Sequence, residues 1–137
     1  MRAGLAGWVS RIALAIAAMV VAMAANGQVL DRVEVTAEGS NAVVRIRFNV
    51  LIQYLRHAPQ NEAQTIQAYL QITAAEDVAG QVVEEERRPP PTDLVPRFRV
   101  VYPSQPPAGQ RRIDIVFERP VQFRLRPADN RTLVVTV

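Results

Sequence analysis

Beyond its opening stretch, the chain carries apolar residues at every second position in short runs, and Gly, Pro or Asn separates one run from the next. A period of two puts successive side chains on opposite faces, so the pattern predicts strands with one buried face, joined by turns. In 42–49, Val44, Ile46 and Phe48 point one way and Val43, Arg45, Arg47 and Asn49 the other. In 112–118, Ile113, Ile115 and Phe117 alternate with Arg112, Asp114 and Glu118. The same alternation runs through Ile66, Ala68, Leu70 and Ile72, through Phe98, Val100 and Tyr102, and through Leu133, Val135 and Val137. Val33 and Val35 mark a first strand, which turns back at the hairpin tetrapeptide Glu38-Gly39-Ser40-Asn41. No long helical period competes.

The pattern is written twice. Sliding the chain by 69 positions lays Ile46 on Ile115, Phe48 on Phe117, Ile52 on Val121, Gln53 on Gln122, Tyr54 on Phe123 and Asn61 on Asn130. After the matched Asn the first copy inserts Glu62–Ile66 before Gln67–Thr73, whereas the second passes through Arg131 directly to Leu133–Val137. Each half then supplies about four strands. One half cannot cover its own apolar face, and stacking two related sheets face to face gives both a common core. The prediction is an all-β, two-sheet β-sandwich built from two related halves of about four strands each. Between them, 74–96 holds Glu84-Glu85-Glu86-Arg87-Arg88 and Pro89-Pro90-Pro91, which reads as a mobile or edge-hugging crossover because proline cannot donate to a ladder. A second Pro-rich break, 103–109, reads as a long hairpin loop.

Residues 1–24 stand apart. Arg2 and Arg11 give a positive start, Ile12–Ala22 an apolar run, and Ala22-Met23-Ala24 a small-residue cleavage site, the three parts of a secretory signal. The uninterrupted apolar run Ile12–Ala25 is 14 residues long, and a helix needs about 20 to cross a bilayer. A cleaved signal peptide followed by one domain, 25–137 (first half 29–73, crossover 74–96, second half 97–137), is therefore expected, in the periplasm or otherwise exported, with no stable membrane anchor after cleavage.

Charge and composition then narrow the chemistry. The whole chain is +3, but removing Arg2 and Arg11 from its 16 cations leaves 14 against 13 acids. Nucleic acid, whose binding rests on many phosphate contacts, is a poor fit to so balanced a chain. There is no Cys and a single His, His57, so disulfides, thiolate chemistry and multi-histidine metal sites are excluded, and no cofactor is expected. Ser40 and Ser104 sit in turns without an acid–base pattern, His57 reads as a surface-loop residue, and Glu76-Asp77 and Glu84–Glu86 read as solvated crossover charges. A glycan-acting enzyme would need two convergent carboxylates, and none stands outside loops. Two sets of residues suit binding. Arg45, Arg47, Arg97, Arg99 and Arg112, with Arg124 and Arg126, can form a cationic sheet face that forks carboxylates or phosphates, or serve as ordinary solvated strand faces balanced by Glu34, Asp114 and Glu118. Tyr54 and Phe123, beside Gln53 and Gln122, can hold sugar rings or plug the core.

An exported chain with two related four-stranded halves, each with an aromatic-bearing corner, resembles the AMIN domain family. The residues that carry the resemblance are Val44, Ile46 and Phe48 leading to Ile52-Gln53-Tyr54, and Ile113, Ile115 and Phe117 leading to Pro120-Val121-Gln122-Phe123, within 29–137. The resemblance implies a noncatalytic envelope module that localises a partner enzyme or secretion machine through peptidoglycan or a neighbouring envelope protein. The alternative expectation is a protein–protein adaptor, or the leader domain of a larger exported protein, that pairs through an edge strand without wall affinity; 131–137 is the candidate edge.

Overall fold

The structure, a computed structural model, describes residues 28–72, 84–103 and 111–137. Nine strands follow one another: β1 (Leu30–Glu38), β2 (Asn41–Phe48), β3 (Ile52–Ala58), β4 (Glu62–Ile72), β5 (Glu85–Arg87), β6 (Phe98–Tyr102), β7 (Arg111–Gln122), β8 (Arg124–Asp129) and β9 (Thr132–Thr136). All pairings are antiparallel, in a four-stranded sheet of order β1-β2-β9-β8 and a five-stranded sheet of order β3-β4-β7-β6-β5. The all-β, two-sheet sandwich expected from the alternation is formed. The signal-peptide reading, the 74–83 part of the crossover and most of the 103–109 loop lie outside the described residues.

The alternation places the core. Val44, Ile46 and Phe48 of β2 and Leu133 and Val135 of β9 share one buried cluster with Ile66, Ala68 and Leu70 of β4, Ile113, Ile115 and Phe117 of β7, and Val100 of β6. Each fully buried Val, Ile, Leu or Phe contributes about 1.5–3 kcal/mol over leaving it in water. Phe98 and Phe117 are cross-strand partners whose rings stack with centroids 5.1 Å apart. The first hairpin closes as its sequence requires: Glu38 pairs with Asn41 across Gly39-Ser40, and Gly39 takes a φ of +61°, open to glycine because no Cβ stands in the way.

The two halves do not each make a sheet. Each contributes one hairpin to either layer, β1–β2 and β8–β9 to the four-stranded sheet, β3–β4 and β6–β7 to the five-stranded one. Replacing β1, β2, β3 and β4 by β6, β7, β8 and β9, and the reverse, turns the order β1-β2-β9-β8 into β6-β7-β4-β3, which is the five-stranded sheet without β5. The internal repeat is thus an approximate two-fold exchange of the layers. Its corners are tied by related bonds: the Ile52 N–H donates to the Asn130 carbonyl at 2.8 Å and the Phe123 N–H to the Asn61 carbonyl at 2.9 Å, Asn61 and Asn130 being matched positions of the repeat.

One expectation is overturned. The last strand is not an edge: β9 pairs with β2 on one side and β8 on the other. Its outward Thr132 and Val134 are buried like its inward Leu133 and Val135, and a continuous Leu-Val-Val run suits an interior strand covered on both faces.

The crossover also acquires structure. Glu85–Arg87 lies along the edge strand β6 as β5, and reaches the other sheet through its side chains. The Glu85 carboxylate, 10% exposed, accepts the N–H groups of Val29 and Leu30 at 2.9 and 3.0 Å. Arg87 donates to the carbonyls of Leu30 and Asp31 at 2.9 and 3.2 Å and lies 3.7 Å from Glu85. This clasp closes one flank of the sandwich with charged groups whose hydrogen-bonding needs are met by backbone.

Glu85→Ala is expected to lower the unfolding free energy by about 2–3 kcal/mol, because it orphans two backbone donors that a carboxylate had satisfied. Glu86→Ala, one residue away and exposed, should cost less than about 0.5 kcal/mol. Urea denaturation of the two variants beside the parent chain checks the contrast.

Candidate functional site

The outward face of the four-stranded sheet is set by register. Arg45 on β2 faces Glu34 on β1 and Val134 on β9, and Val134 faces Arg126 on β8, so one row reads Glu34, Arg45, Val134, Arg126. The row beside it reads Thr36, Val43, Thr136, Arg124, and on the other side Arg47 faces Thr132. Val43 and Val134 are 3% exposed yet stand outside the central cluster. Some of these cations are neutralised. Arg45 binds Glu38 at 2.8 Å and the Thr36 hydroxyl at 3.0 Å, and Arg32 binds Glu34 at 3.0 Å. Arg47, Arg124 and Arg126, all exposed, make no ion pair among the described residues.

Arg99 and Arg112 occupy the outward face of the other sheet, on the opposite side of the sandwich, with the exposed Arg97 just before β6. The single cationic face suggested by the alternation is therefore divided between the two layers. On this second face Arg56, Arg99 and Arg112 are engaged. Arg99 binds Glu86 at 3.0 Å, Arg56 lies 4.0 Å over the Tyr69 ring, and Arg112 Nε stands 2.9 Å from Asp114 Oδ1. Both atoms of that last contact are shielded from water, and it is an ion pair at an angle too bent for a hydrogen bond. Hydrogen bonds from Arg99 and then Arg88 hold the Glu86 carboxyl below the usual carboxylate range.

Tyr54 and Phe123 meet at one flank through a residue that sequence reasoning placed on a loop. His57 belongs to β3 and is half-buried. A register shift between Tyr54 and Arg56 turns Arg56 outward opposite Tyr69 and brings His57 opposite the core residue Ala68. His57 Nε2 lies 2.9 Å from the Gln60 carbonyl, which only accepts, so Nδ1 is the bare nitrogen that receives the Tyr54 hydroxyl at 2.5 Å. The His57 ring meets the edge of Phe123 with centroids 5.7 Å apart, and Phe123 is 4% exposed. Phe123 thus packs as a core plug, while Tyr54 keeps partial exposure.

Beside that plug opens a cleft of about 580 Å³, within the range of small-ligand sites. Asn41, Asn61, Glu62, Gln122, Arg124 and Thr136 line it. Of the two glutamines flanking the corner aromatics, Gln122 reaches this cleft, whereas Gln53 is exposed opposite Gln71. Asn41, Glu62 and Thr136 were not singled out from the sequence. They come from different strands; of the other lining residues, Asn61 and Gln122 carried a signal as matched positions of the repeat, and Arg124 as a candidate cation. Arg124 lies both in the cleft and on the outward face of the four-stranded sheet, so the two are contiguous. The chain matches no family model, no curated protein and no solved structure.

Burial pushes the Tyr54 hydroxyl above its ordinary value and does the same to Tyr102, where Glu85 adds to the effect and Arg111 opposes it. Both tyrosines stay neutral in the fold at a pH where the unfolded chain has begun to ionise. Their contribution to stability is whole below about pH 10 and is lost as pH rises through the folded values. Tyr102→Phe should flatten the alkaline fall in urea midpoint measured between about pH 9 and 11.

Proposed function

We propose that the chain is a noncatalytic binding module of the cell envelope, AMIN-like in design, that localises to peptidoglycan or to an envelope protein machine after export to the periplasm. The observation that carries this reading is the outward face of the four-stranded sheet, where Arg47, Arg124 and Arg126 have no ion-pair partner among the described residues and flank the buried Val43 and Val134. Guanidinium groups free of ion pairs on a rigid sheet suit the carboxylates of an anionic wall polymer, which they bind in bidentate fashion. Arg97, Arg99 and Arg112 serve the proposal less well, since two of the three are neutralised by their own sheet.

The edge-strand adaptor is the second reading, and with β9 interior it falls to β1, β3, β5 and β8. Three of these edges carry a register shift, and β5 is three residues long and runs into Pro89-Pro90-Pro91. Interruptions of this kind blunt strand addition, which favours the face over the edges.

The test is retention of the folded chain on insoluble purified peptidoglycan at low and physiological salt, with a protein of the same net charge as control. Retention above the control should fall with salt. Arg47→Glu or Arg126→Glu should each weaken it about fivefold, roughly 1 kcal/mol, while Arg99→Glu should change little. Absence of retention from a folded sample would overturn the wall reading and leave an envelope protein as the partner to seek.

A further inference from the structure

The amide-lined cleft has a charge arrangement that the cationic face lacks. Glu62 and Arg124 both line it, both are exposed, and neither makes an ion pair among the described residues. They are near neighbours: Glu62 is the cross-strand partner of Gln122, and Gln122 and Arg124 flank Phe123. The chain leaves the five-stranded sheet at Gln122 and enters the four-stranded one at Arg124, so the two charges are carried by different sheets. The Phe123 N–H is bonded to the Asn61 carbonyl at 2.9 Å, which ties the start of β4 to this corner.

The repeat supplies a comparison within the molecule. At the matched corner Gln53, Tyr54 and Asn130 stand where Gln122, Phe123 and Asn61 stand here, but Leu55 takes the place of Arg124, and Glu62, which opens the segment inserted after Asn61, has no counterpart. Arg131 there donates to the Asn49 carbonyl at 3.2 Å. The opposed charges therefore belong to one corner and are not a by-product of the duplicated turn.

We propose that this cleft is a binding site for a small zwitterion bearing a free ammonium and a free carboxylate, the chemistry of an amino acid or of a short peptide with both termini free. Glu62 receives the ammonium, Arg124 forks the carboxylate, and the side-chain amides of Asn41, Asn61 and Gln122 serve the peptide groups between them, since each amide both donates and accepts. A simple anion meets the repulsion of Glu62, a simple cation that of Arg124, and a neutral sugar leaves both charges unanswered. The site stands on the cleft alone and does not rest on the wall-binding reading.

Amide chemical-shift mapping of the full chain, titrated with alanyl-alanine, tests it. Saturable shifts are expected at Asn61, Glu62, Gln122 and Arg124, and Glu62→Gln or Arg124→Gln should weaken them about fivefold or more, as the loss of one exposed charge-assisted contact implies. Acetyl-alanyl-alanine and alanyl-alanine amide, each lacking one charge, should weaken binding similarly. Both substitutions are at exposed positions, and the remaining spectrum reports that the fold is intact. Three results would overturn the proposal: no shift at these residues up to about 20 mM dipeptide, shifts from either blocked dipeptide as large as those from alanyl-alanine, or shifts as large from N-acetylglucosamine, which would make the cleft a saccharide site.

Discussion

Two antiparallel ladders hold this molecule together, β2 against β9 and β4 against β7, and each joins the first half of the chain to the second. Val43 pairs with Thr136 and Ile66 with Ile115, across long stretches of sequence. Neither half owns a complete sheet, so the apolar faces of β2 and β4 are covered only when β7 and β9 have arrived. The core, the corners and the cleft follow from that requirement. A sheet with one apolar face is stable only against a second layer, and here each layer is assembled from both halves.

This interleaving also decides where charge can gather. On the five-stranded sheet, β5 and β7 bring Glu86 and Asp114 to Arg99 and Arg112, and Tyr69 lies under Arg56, so these three cations of the outward face are satisfied within it. On the four-stranded sheet the acids are concentrated on β1, the edge strand, and they satisfy Arg32 and Arg45. On the far side, Arg124 and Arg126 of β8 form no ion pair among the described residues. The asymmetry between the two faces is thus a property of strand order and register, not of composition, which is nearly neutral for the domain.

Much of the fold was legible because period-two alternation is a local signal. Val44, Ile46 and Phe48 face inward, as do Ile113, Ile115 and Phe117, and the Gly39-Ser40 turn sits where Glu38 and Asn41 require it. What was not legible depended on features that alternation does not encode. His57 turns inward through a register shift that no single residue announces. The interior position of β9 was written in its continuous Leu133-Val134-Val135 run, a signal that the alternation of Leu133 and Val135 obscured. The Arg residues share a pattern but not a face, because the choice of layer is made by topology. The cleft draws Asn41, Glu62, Arg124 and Thr136 from separated segments, and only the folded corner brings them together.

The place of β9 bears on the order in which the chain takes shape. During vectorial synthesis the β1–β2 hairpin emerges early, yet its interior neighbour is the last strand of the nine. Until that strand appears, β2 lacks its interior ladder partner, and closing so long a loop is slow compared with forming a local hairpin. A sandwich of this topology stays open until β9 has been made. In that state its apolar strands remain accessible to other chains, and the sandwich locks only when the ninth strand slides between the second and the eighth.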